Sequence, residues 1–223
     1  MKNAIPSARC NSVDPFYGSA LVEIPFAALI LALVFPAAAL RAAGEPSPLS
    51  AAPPLDPPRF ELAMESAYLL CFLNNPHSYE VAAEFLTGRV RWGVVQSDDW
   101  RRGYQQFYLT AEAQPIVRGV ENHYFGMNFG LRYNFVPARS RWSPYVSGGV
   151  GLGWIDSNAA VGRSQGQDFT FNILAAVGLS YRLNERWKID AGVLYQHLSN
   201  GGQTDPNPSL NLIGPQFSAT CSF

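Results

Sequence analysis

The stretch "HYFGMNFGLRYNF", residues 123–135, decides the fold because its side chains alternate in character along its length. Every second residue from Phe125 to Phe135 is large and apolar, and the residues between them are Gly, Asn and Arg. A period of two is typical of a β-strand with one apolar face, since successive side chains point to opposite sides of the sheet. No helix of comparable length competes with this pattern.

The same period runs through the chain from Phe60 onward, most clearly in "WKIDAGVLYQH" (187–197) and "FSATCSF" (217–223). Segments bounded by turn residues predict eight strands, at about 60–73, 79–93, 103–116, 123–135, 143–155, 167–182, 187–198 and 210–223. An even number of antiparallel strands returns the chain to its starting side, where the last strand can pair with the first. The sequence therefore predicts an all-β fold, an eight-stranded antiparallel barrel without free edges.

The second strand is the exception to regular alternation. Alternate residues from Tyr79 to Phe85 are apolar on one face, whereas Val90 and Trp92 are apolar on the other. A β-bulge adds one residue to one strand and reverses the facing of the residues after it. We therefore predict a bulge near Thr87–Gly88.

The polar faces carry charges of both signs, which suits a paired network inside a narrow membrane barrel and equally the wet outside of a soluble, lipocalin-like barrel. These charges are Glu61, Glu65, Glu112, Arg132, Arg182, Lys188 and Asp190. Three features favour the membrane barrel with a polar interior. The strands reach the roughly 9–11 residues of a tilted span, aromatic residues gather toward the ends of the apolar faces, and the chain ends on Phe223. A terminal aromatic of this kind resembles the assembly signal of bacterial outer-membrane barrels.

Composition excludes several other classes of function. The formal net charge is −1, and no cluster of Lys and Arg suggests nucleic-acid binding. No phosphate loop or dinucleotide fingerprint occurs. His77 and His123 lack cysteine or carboxylate partners at ligand spacing, so we predict neither a metal site nor a cofactor.

The N-terminal part reads as a targeting segment. The apolar run "FAALILALVFPAAAL" (26–40) is shorter than the ~20 residues of a spanning helix, and small residues follow it. We assign 1–44 to a cleaved signal peptide, 45–58 to a Pro-rich, extended linker and 59–223 to the barrel. Export by this route predicts the bacterial outer membrane as the location.

Two cysteines remain once Cys10 has left with the leader. Cys71 and Cys221 lie on the first and last strands, which are neighbours in a closed barrel, yet near opposite rims and about 30 Å apart by strand rise. Alternation also points Cys71 inward and Cys221 outward. No disulfide of normal geometry spans that separation, so two free thiols are predicted.

The segment "YQHLSNGGQTDPNPSLN", residues 195–211, holds the candidate site. His197 and Ser199 continue the outward face of the seventh strand at its outer end, and Asn211 faces outward on the eighth. Polar groups aimed at lipid are costly and tend to be functional. These side chains permit acyl transfer to water, in which His197 accepts the proton of Ser199 and Asn211 orients the imidazole.

Donors for an oxyanion are available in the loop after the seventh strand. The "SNGG" turn contributes Asn200 and Gly202, and Asn207 lies further along. A substrate for such a site would arrive by lateral diffusion in the membrane and present an ester at the depth of the headgroups.

The 195–211 segment resembles the signature of the lipid A 3-O-deacylases, the bacterial acyloxyacyl hydrolase family. Stretches such as "YEVAAEFLTGRVRW" (79–92) and "PYVSGGVGLGWIDS" (144–157) resemble it too, and the likeness covers about 60–223. The resemblance implies an eight-stranded outer-membrane barrel whose surface Ser-His-Glu triad removes the 3-position hydroxyacyl chain of lipid A in lipopolysaccharide. It implies His197 as base, Ser199 as nucleophile, Asn200 as the asparagine next to the serine, and Asn207 as the one near the oxyanion.

The chain departs from the family pattern at Asn211, where the family has glutamate, and at Ser209, where glycine is expected. Asp205 offers another carboxylate in the same loop. Two functions therefore stay open, a lipid A deacylase and a non-catalytic structural or adhesive barrel with a degenerate site. The sequence also leaves open whether the barrel forms a homodimer in the membrane.

Cleavage of the leader gives the first testable prediction. The mature protein purified from outer membranes should begin between Ala39 and Gly44, because small residues favourable to cleavage lie there. N-terminal sequencing and intact mass measure this directly, and a mature chain that retains 26–40 would contradict it.

Overall fold

The computed structural model describes residues 54–71, 79–158, 160–161 and 164–223. The predicted signal peptide and most of the predicted linker lie outside these residues. The strands are β1 (Phe60–Cys71), β2 (Glu80–Val95), β3 (Gly103–Arg118), β4 (His123–Phe135), β5 (Trp142–Ile155), β6 (Phe169–Arg182), β7 (Trp187–Ser199) and β8 (Leu210–Ser222). They form one closed antiparallel barrel in which β1 pairs with both β2 and β8. The predicted fold class and strand number are confirmed. No helix in these residues is long and apolar enough to cross a membrane, which does not bear on crossing by strands.

The two ends of the barrel differ in their connections. We call the end that carries the β1–β2, β3–β4, β5–β6 and β7–β8 connections the outer end, because longer loops face outward in barrels of this type. The inner end carries the β2–β3, β4–β5 and β6–β7 connections, the start of β1 and the end of β8. Residues 54–58 lie at the inner end, where Gln96 exchanges two hydrogen bonds with the Leu55 backbone and Arg91 pairs with Asp56 at 3.1 Å. This part of the predicted linker is therefore fastened to β2.

The outside of the barrel is apolar with a belt of aromatic residues near each end. Strand β1 alternates between exposed and buried residues over its whole length. At the outer end Phe169 contacts both Trp154 and Phe171, with ring centroids 5.7 and 5.2 Å apart. At the inner end the stacked or tilted pairs are Trp92–Phe107, Trp100–Phe135, Tyr133–Phe135 and Trp142–Tyr181. Two aromatic belts around an apolar band are the surface of a transmembrane barrel.

The bulge predicted near Thr87–Gly88 is wrong. Strand β2 pairs with β1 without interruption through that region, and its inward series continues from Val81 to Arg89. The irregularities of β2 lie instead against β3, between Glu80 and Val81 and between Arg91 and Gly93. Alternation does not reverse at Thr87–Gly88. The pattern misled because the interior that β2 faces changes from apolar near the outer end to charged further in.

The interior therefore has two layers, and the expectation of a uniformly polar interior needs correction. The outer half contains an apolar layer that consists of Ala67, Leu69, Cys71, Tyr79, Val81, Ala83, Phe85, Tyr124, Ile155, Leu174, Ala176, Leu194, Leu198, Leu210 and Leu212. It also holds the buried amide side chains of Gln114, Asn172 and Gln196. Of the predicted inward charges, Arg182 is exposed at the inner end, whereas the other six are buried. Glu112 is held by amide donors, 2.9 Å from Asn172 Nδ2 and 2.7 Å from Gln114 Nε2.

The inner half is an ionic layer in which three cations face three carboxylates. Lys188 Nζ lies 2.9 and 2.8 Å from the two Glu61 oxygens. Arg89 Nη2 lies 2.7 Å from Glu65 Oε1 and its Nη1 3.9 Å from both Glu61 and Asp190. Arg132 closes the set at 3.0 Å from Asp190 Oδ2 and stacks 3.7 Å from the centre of the Tyr145 ring. Buried charges need such partners, because an unpaired one is very unfavourable at low dielectric.

The two barrel cysteines are free, as predicted. Cys71 is buried opposite Leu212, and Cys221 is paired with Leu62 near the other end of β1. The distance from Leu62 to Cys71 along the strand, about 30 Å by strand rise, excludes a bond between them.

Arg89 should be the most sensitive member of the ionic layer, because it contacts all three carboxylates. We expect Arg89→Met to lower the free energy of unfolding by about 3–5 kcal/mol, since it leaves a carboxylate buried without a cation. Urea unfolding in lipid vesicles, followed by tryptophan fluorescence, measures the change. The control is Arg118→Met, which removes a half-exposed pair with Glu80 and should change stability by less than about 1 kcal/mol. Equal effects of both would contradict the role given to the ionic layer.

Candidate active site

The candidate site lies on the outward face of β7 and β8 at the outer end of the barrel. His197 and Asn211 are direct register partners across these strands, and Ser199 is paired with Phe171 of β6. All three polar side chains are half-buried on the membrane side. The structure thus brings together His197 and Asn211 and places Ser199 one outward position beyond the histidine.

A hydrogen bond joins the histidine to the asparagine. His197 Nδ1 lies 2.9 Å from Asn211 Oδ1, and the Tyr195 hydroxyl donates to the same oxygen at 2.7 Å. A carbonyl oxygen can only accept, so this bond requires hydrogen on Nδ1 and leaves the Nε2 lone pair free. That tautomer is the one a general base needs.

Ser199 ends β7 and lies against the outer aromatic belt. Its strand partner Phe171 contacts Phe169, and a side chain added at Gly201 would approach the Phe171 ring to 3.1 Å. Within the part of the chain that the structure describes, the Ser199 hydroxyl makes no hydrogen bond. Its oxygen is therefore available to a lipid that lies against this face.

The loop from 200 to 209 is braced by a buried asparagine. Asn200 donates its two amide hydrogens to Thr204 O and Pro206 O, and its Oδ1 accepts the Gly202 N–H at 2.9 Å. Gly201 and Gly202 take φ values of 68° and 73°, a conformation that favours glycine. The predicted oxyanion donors Asn200 and Gly202 thus point into the loop, where they support its shape.

Asn207 is the predicted oxyanion residue that keeps a donor. Its Oδ1 accepts the Asn200 backbone N–H at 3.1 Å, and its amide nitrogen donates no hydrogen bond within the described part of the chain. The side chain is half-buried. This nitrogen carries two hydrogens that can face an oxyanion.

Ser209 has φ 46°, in the left-handed region that costs residues with a Cβ and suits glycine. This backbone requirement explains why glycine was expected at the position. Asp205, the other carboxylate of the loop, is exposed. Among the described residues, His197 forms no ion pair with any carboxylate, so Asn211 is its partner.

Other polar side chains on the outward face lie on different strands. Glu80 and Glu84 of β2 accept hydrogen bonds of 2.5 Å from Tyr68 and Ser66 of β1. Sequence alternation could have placed these glutamates outward, but the predicted bulge obscured that strand. Their partners Ser66 and Tyr68 provide matched outward-facing controls for the site.

His123 does have a carboxylate partner, contrary to the prediction from spacing. Its Nδ1 lies 3.6 Å from Asp156 Oδ2 at the outer rim of β4 and β5. Burial raises the pKa of Asp156, but hydrogen bonds from Asn122 and from the His123 backbone outweigh burial and hold this pKa below its ordinary value. His77 lies outside the described residues, in which no group of three ligating side chains could hold a metal ion.

Fold and surface together define an outer-membrane β-barrel with a serine, a histidine and an asparagine at the outer end of its lipid-facing side. The chain belongs to the lipid A 3-O-deacylase (PagL) family, whose model matches residues 78–220. No curated protein matches the sequence.

Solved structures support the fold. The chain is similar to the outer membrane enzyme PagL, with 16% identity, a TM-score of 0.51 and coverage of 71% of this chain and 97% of that one. It is similar to Neisserial surface protein A (NspA), with 13% identity, a TM-score of 0.54 and coverage of 74% and 97% respectively. At such identities the likeness shows the fold alone.

The bracing of the loop by Asn200 can be tested with an isosteric change. Asn200→Asp replaces the amide nitrogen, which donates to both the Thr204 and the Pro206 carbonyl, with an oxygen that only accepts, so the 200–209 loop should open while the barrel stays folded. Limited proteolysis should cut this loop at least about tenfold faster than in the wild type. Asn158→Asp, in which the side chain keeps its acceptor role toward Ala160, is the control. An unchanged rate would contradict the bracing role.

Proposed function

We propose that this protein hydrolyses the ester that attaches a 3-hydroxyacyl chain to lipid A in the outer leaflet, with Ser199 as nucleophile and His197 as general base. The hydrogen bond from His197 to Asn211, on an outward face beside Ser199, carries this proposal. Family membership supports the substrate class. Export through a signal peptide at 1–44 and insertion in the outer membrane belong to the same proposal.

In the first half of the reaction, Ser199 Oγ attacks the ester carbonyl and its proton passes to His197 Nε2. The resulting imidazolium keeps its Nδ1–H bond to Asn211. Collapse of the tetrahedral intermediate breaks the bond to the sugar oxygen, which takes the proton from Nε2. The hydroxyacyl group remains esterified to Ser199.

In the second half, water replaces the sugar hydroxyl. His197 takes a proton from the water, the resulting hydroxide attacks the acyl-serine, and the hydroxy fatty acid leaves as Ser199 regains its proton. The Asn207 amide nitrogen is the side-chain donor that we assign to the oxyanion in both halves, because the Asn200 amide is already used within the loop.

The position of the site suits a lipid substrate. Below His197 the outward residues of β7 and β8 are apolar, including Val193 and Ile213. Acyl chains can lie along this surface while the ester reaches the outer aromatic belt, where headgroups begin. A water-soluble ester would have no comparable surface to bind.

Removal of either reacting side chain should abolish the activity. Ser199→Ala and His197→Ala should each lower the release of hydroxy fatty acid from lipopolysaccharide by about a thousandfold or more. The mass spectrum of lipid A with and without each variant gives the measurement. Heat-modifiable migration in gels should stay that of a folded barrel.

The matched control is Ser66→Ala, which removes another outward-facing hydroxyl, bonded to Glu84 rather than to the site. It should retain the wild-type rate. If the folded wild type releases no acyl chain in cells or in detergent, the protein is instead the structural or adhesive barrel.

A carboxylate at position 211 should raise the rate. An amide orients the imidazole but cannot offset its positive charge, whereas the isosteric Asn211→Asp would do both. We expect kcat to rise on the order of tenfold or more, with KM within about twofold, because the charge acts only once His197 is protonated. Steady-state assays on lipid A in mixed micelles measure both constants, and a lower kcat in a folded Asn211→Asp variant would show that the asparagine is not a substitute for glutamate.

A further inference from the structure

We propose that Tyr195 is a positioning residue that compensates for the absence of a carboxylate at position 211. Its hydroxyl holds the Asn211 side chain so that the amide oxygen, and not the amide nitrogen, faces His197. The catalytic consequence rests on the proposed function, whereas the effect on the histidine can be measured without any reaction.

An asparagine at position 211 can face His197 in two chemically different orientations, whereas a glutamate carboxylate presents an acceptor in either one. The two ends of an amide are similar in size but opposite in hydrogen bonding, and a rotated Asn211 would present NH₂ to His197 Nδ1. Nδ1 would then accept, and hydrogen would move to Nε2. In that tautomer the imidazole could not take a proton from Ser199. A carboxylate accepts at both oxygens, so its rotation changes nothing.

The Tyr195 hydroxyl favours one of the two orientations of the Asn211 amide. It precedes His197 by one outward position on β7, and its hydroxyl lies 2.7 Å from Asn211 Oδ1, while His197 Nδ1 lies 2.9 Å from the same atom. A phenol is a better donor than acceptor, because its lone pair is delocalised into the ring. Two donors therefore converge on one oxygen. Rotation of the amide would replace this acceptor with an NH₂ group, which cannot accept the hydrogen of the tyrosine hydroxyl.

The register of β7 and β8 makes this contact specific. His197 is directly opposite Asn211, whereas Tyr195 is opposite Ile213 and reaches Asn211 along the diagonal. Diagonal neighbours on one face of an antiparallel pair lie about 7–8 Å apart, a distance that an aromatic side chain spans and a short one does not. The half-buried, membrane-side position strengthens the bond, since water competes weakly there.

The first experiment measures the histidine tautomer. The ¹⁵N shifts of the imidazole nitrogens, recorded on the folded barrel in micelles at alkaline pH and assigned by their loss in His197→Gln, should show hydrogen on Nδ1 of His197 in the wild type. Tyr195→Phe should shift a substantial part of the population to the Nε2–H form. An unchanged tautomer in Tyr195→Phe overturns the proposal.

The second experiment measures coupling between the two positions. Tyr195→Phe should lower kcat about tenfold with KM within about twofold, as expected for the loss of one hydrogen bond that orients the base. In the Asn211→Asp background the same change should cost less than about twofold. Equal costs in both backgrounds would overturn the proposal, because they would show that the hydroxyl acts independently of the amide.

Tyr68→Phe is the matched control, since it removes an outward-facing tyrosine hydroxyl that is bonded to Glu80 and not to the site. It should leave both the tautomer and the rate unchanged. If no variant and no wild-type preparation hydrolyses lipid A, yet Tyr195→Phe still shifts the tautomer, then the proposed function fails and the positioning role stands.

Discussion

Strands β1 and β8 pair from Glu61 with Ser222 to Cys71 with Leu212, and this ladder closes the barrel. The closure matters because the hydrocarbon of a bilayer offers backbone N–H and C=O groups no partner, so a sheet can cross it only without edges. Once the ladder is closed, every residue of a strand faces either lipid or the interior. The outward face must then be apolar, and every inward charge must find its partner among the other inward side chains.

The ionic layer and the apolar layer are two ways to fill the same narrow space. Near the inner end, Arg89, Arg132 and Lys188 balance Glu61, Glu65 and Asp190. Near the outer end, Leu198, Leu210 and Leu212 are buried and alternate with the residues of the candidate site. Leu198 separates His197 from Ser199, and Leu210 and Leu212 flank Asn211, so buried side chains hold the backbone at the candidate site. Rigid support of this kind holds reacting groups in place better than a loop does.

A lipid-facing site also limits the chemistry that its residues can use. An unpaired carboxylate beside lipid is costly, and in this chain an asparagine that is bonded to both Tyr195 and His197 occupies the position. Orientation and charge are separate contributions of the third member of a hydrolytic triad. In the described geometry Asn211 still orients the imidazole, because its Oδ1 lies 2.9 Å from His197 Nδ1. In the loop, the buried Asn200 amide bonds to three backbone groups, and Asn207 Oδ1 accepts the Asn200 backbone N–H.

Much of this protein followed from its sequence, because alternation is a local property that each strand displays by itself. The period of two predicted the barrel, its eight strands, the outward facing of His197, Ser199 and Asn211, and the separation of Cys71 from Cys221. The prediction for β2 was wrong because alternation reports which residues share a face but not what that face meets, and here one inward face meets first the apolar and then the ionic layer.

Hydrogen-bond partners were decided only by the tertiary structure. The register that sets His197 opposite Asn211, the diagonal reach of Tyr195, and the inward turn of the Asn200 amide depend on how separate segments are placed against one another. Nothing in the spacing of the 195–211 segment carries that information. The sequence by itself determined which side chains share a face of a strand, and the closed ladder determined what each face meets and which side chains touch.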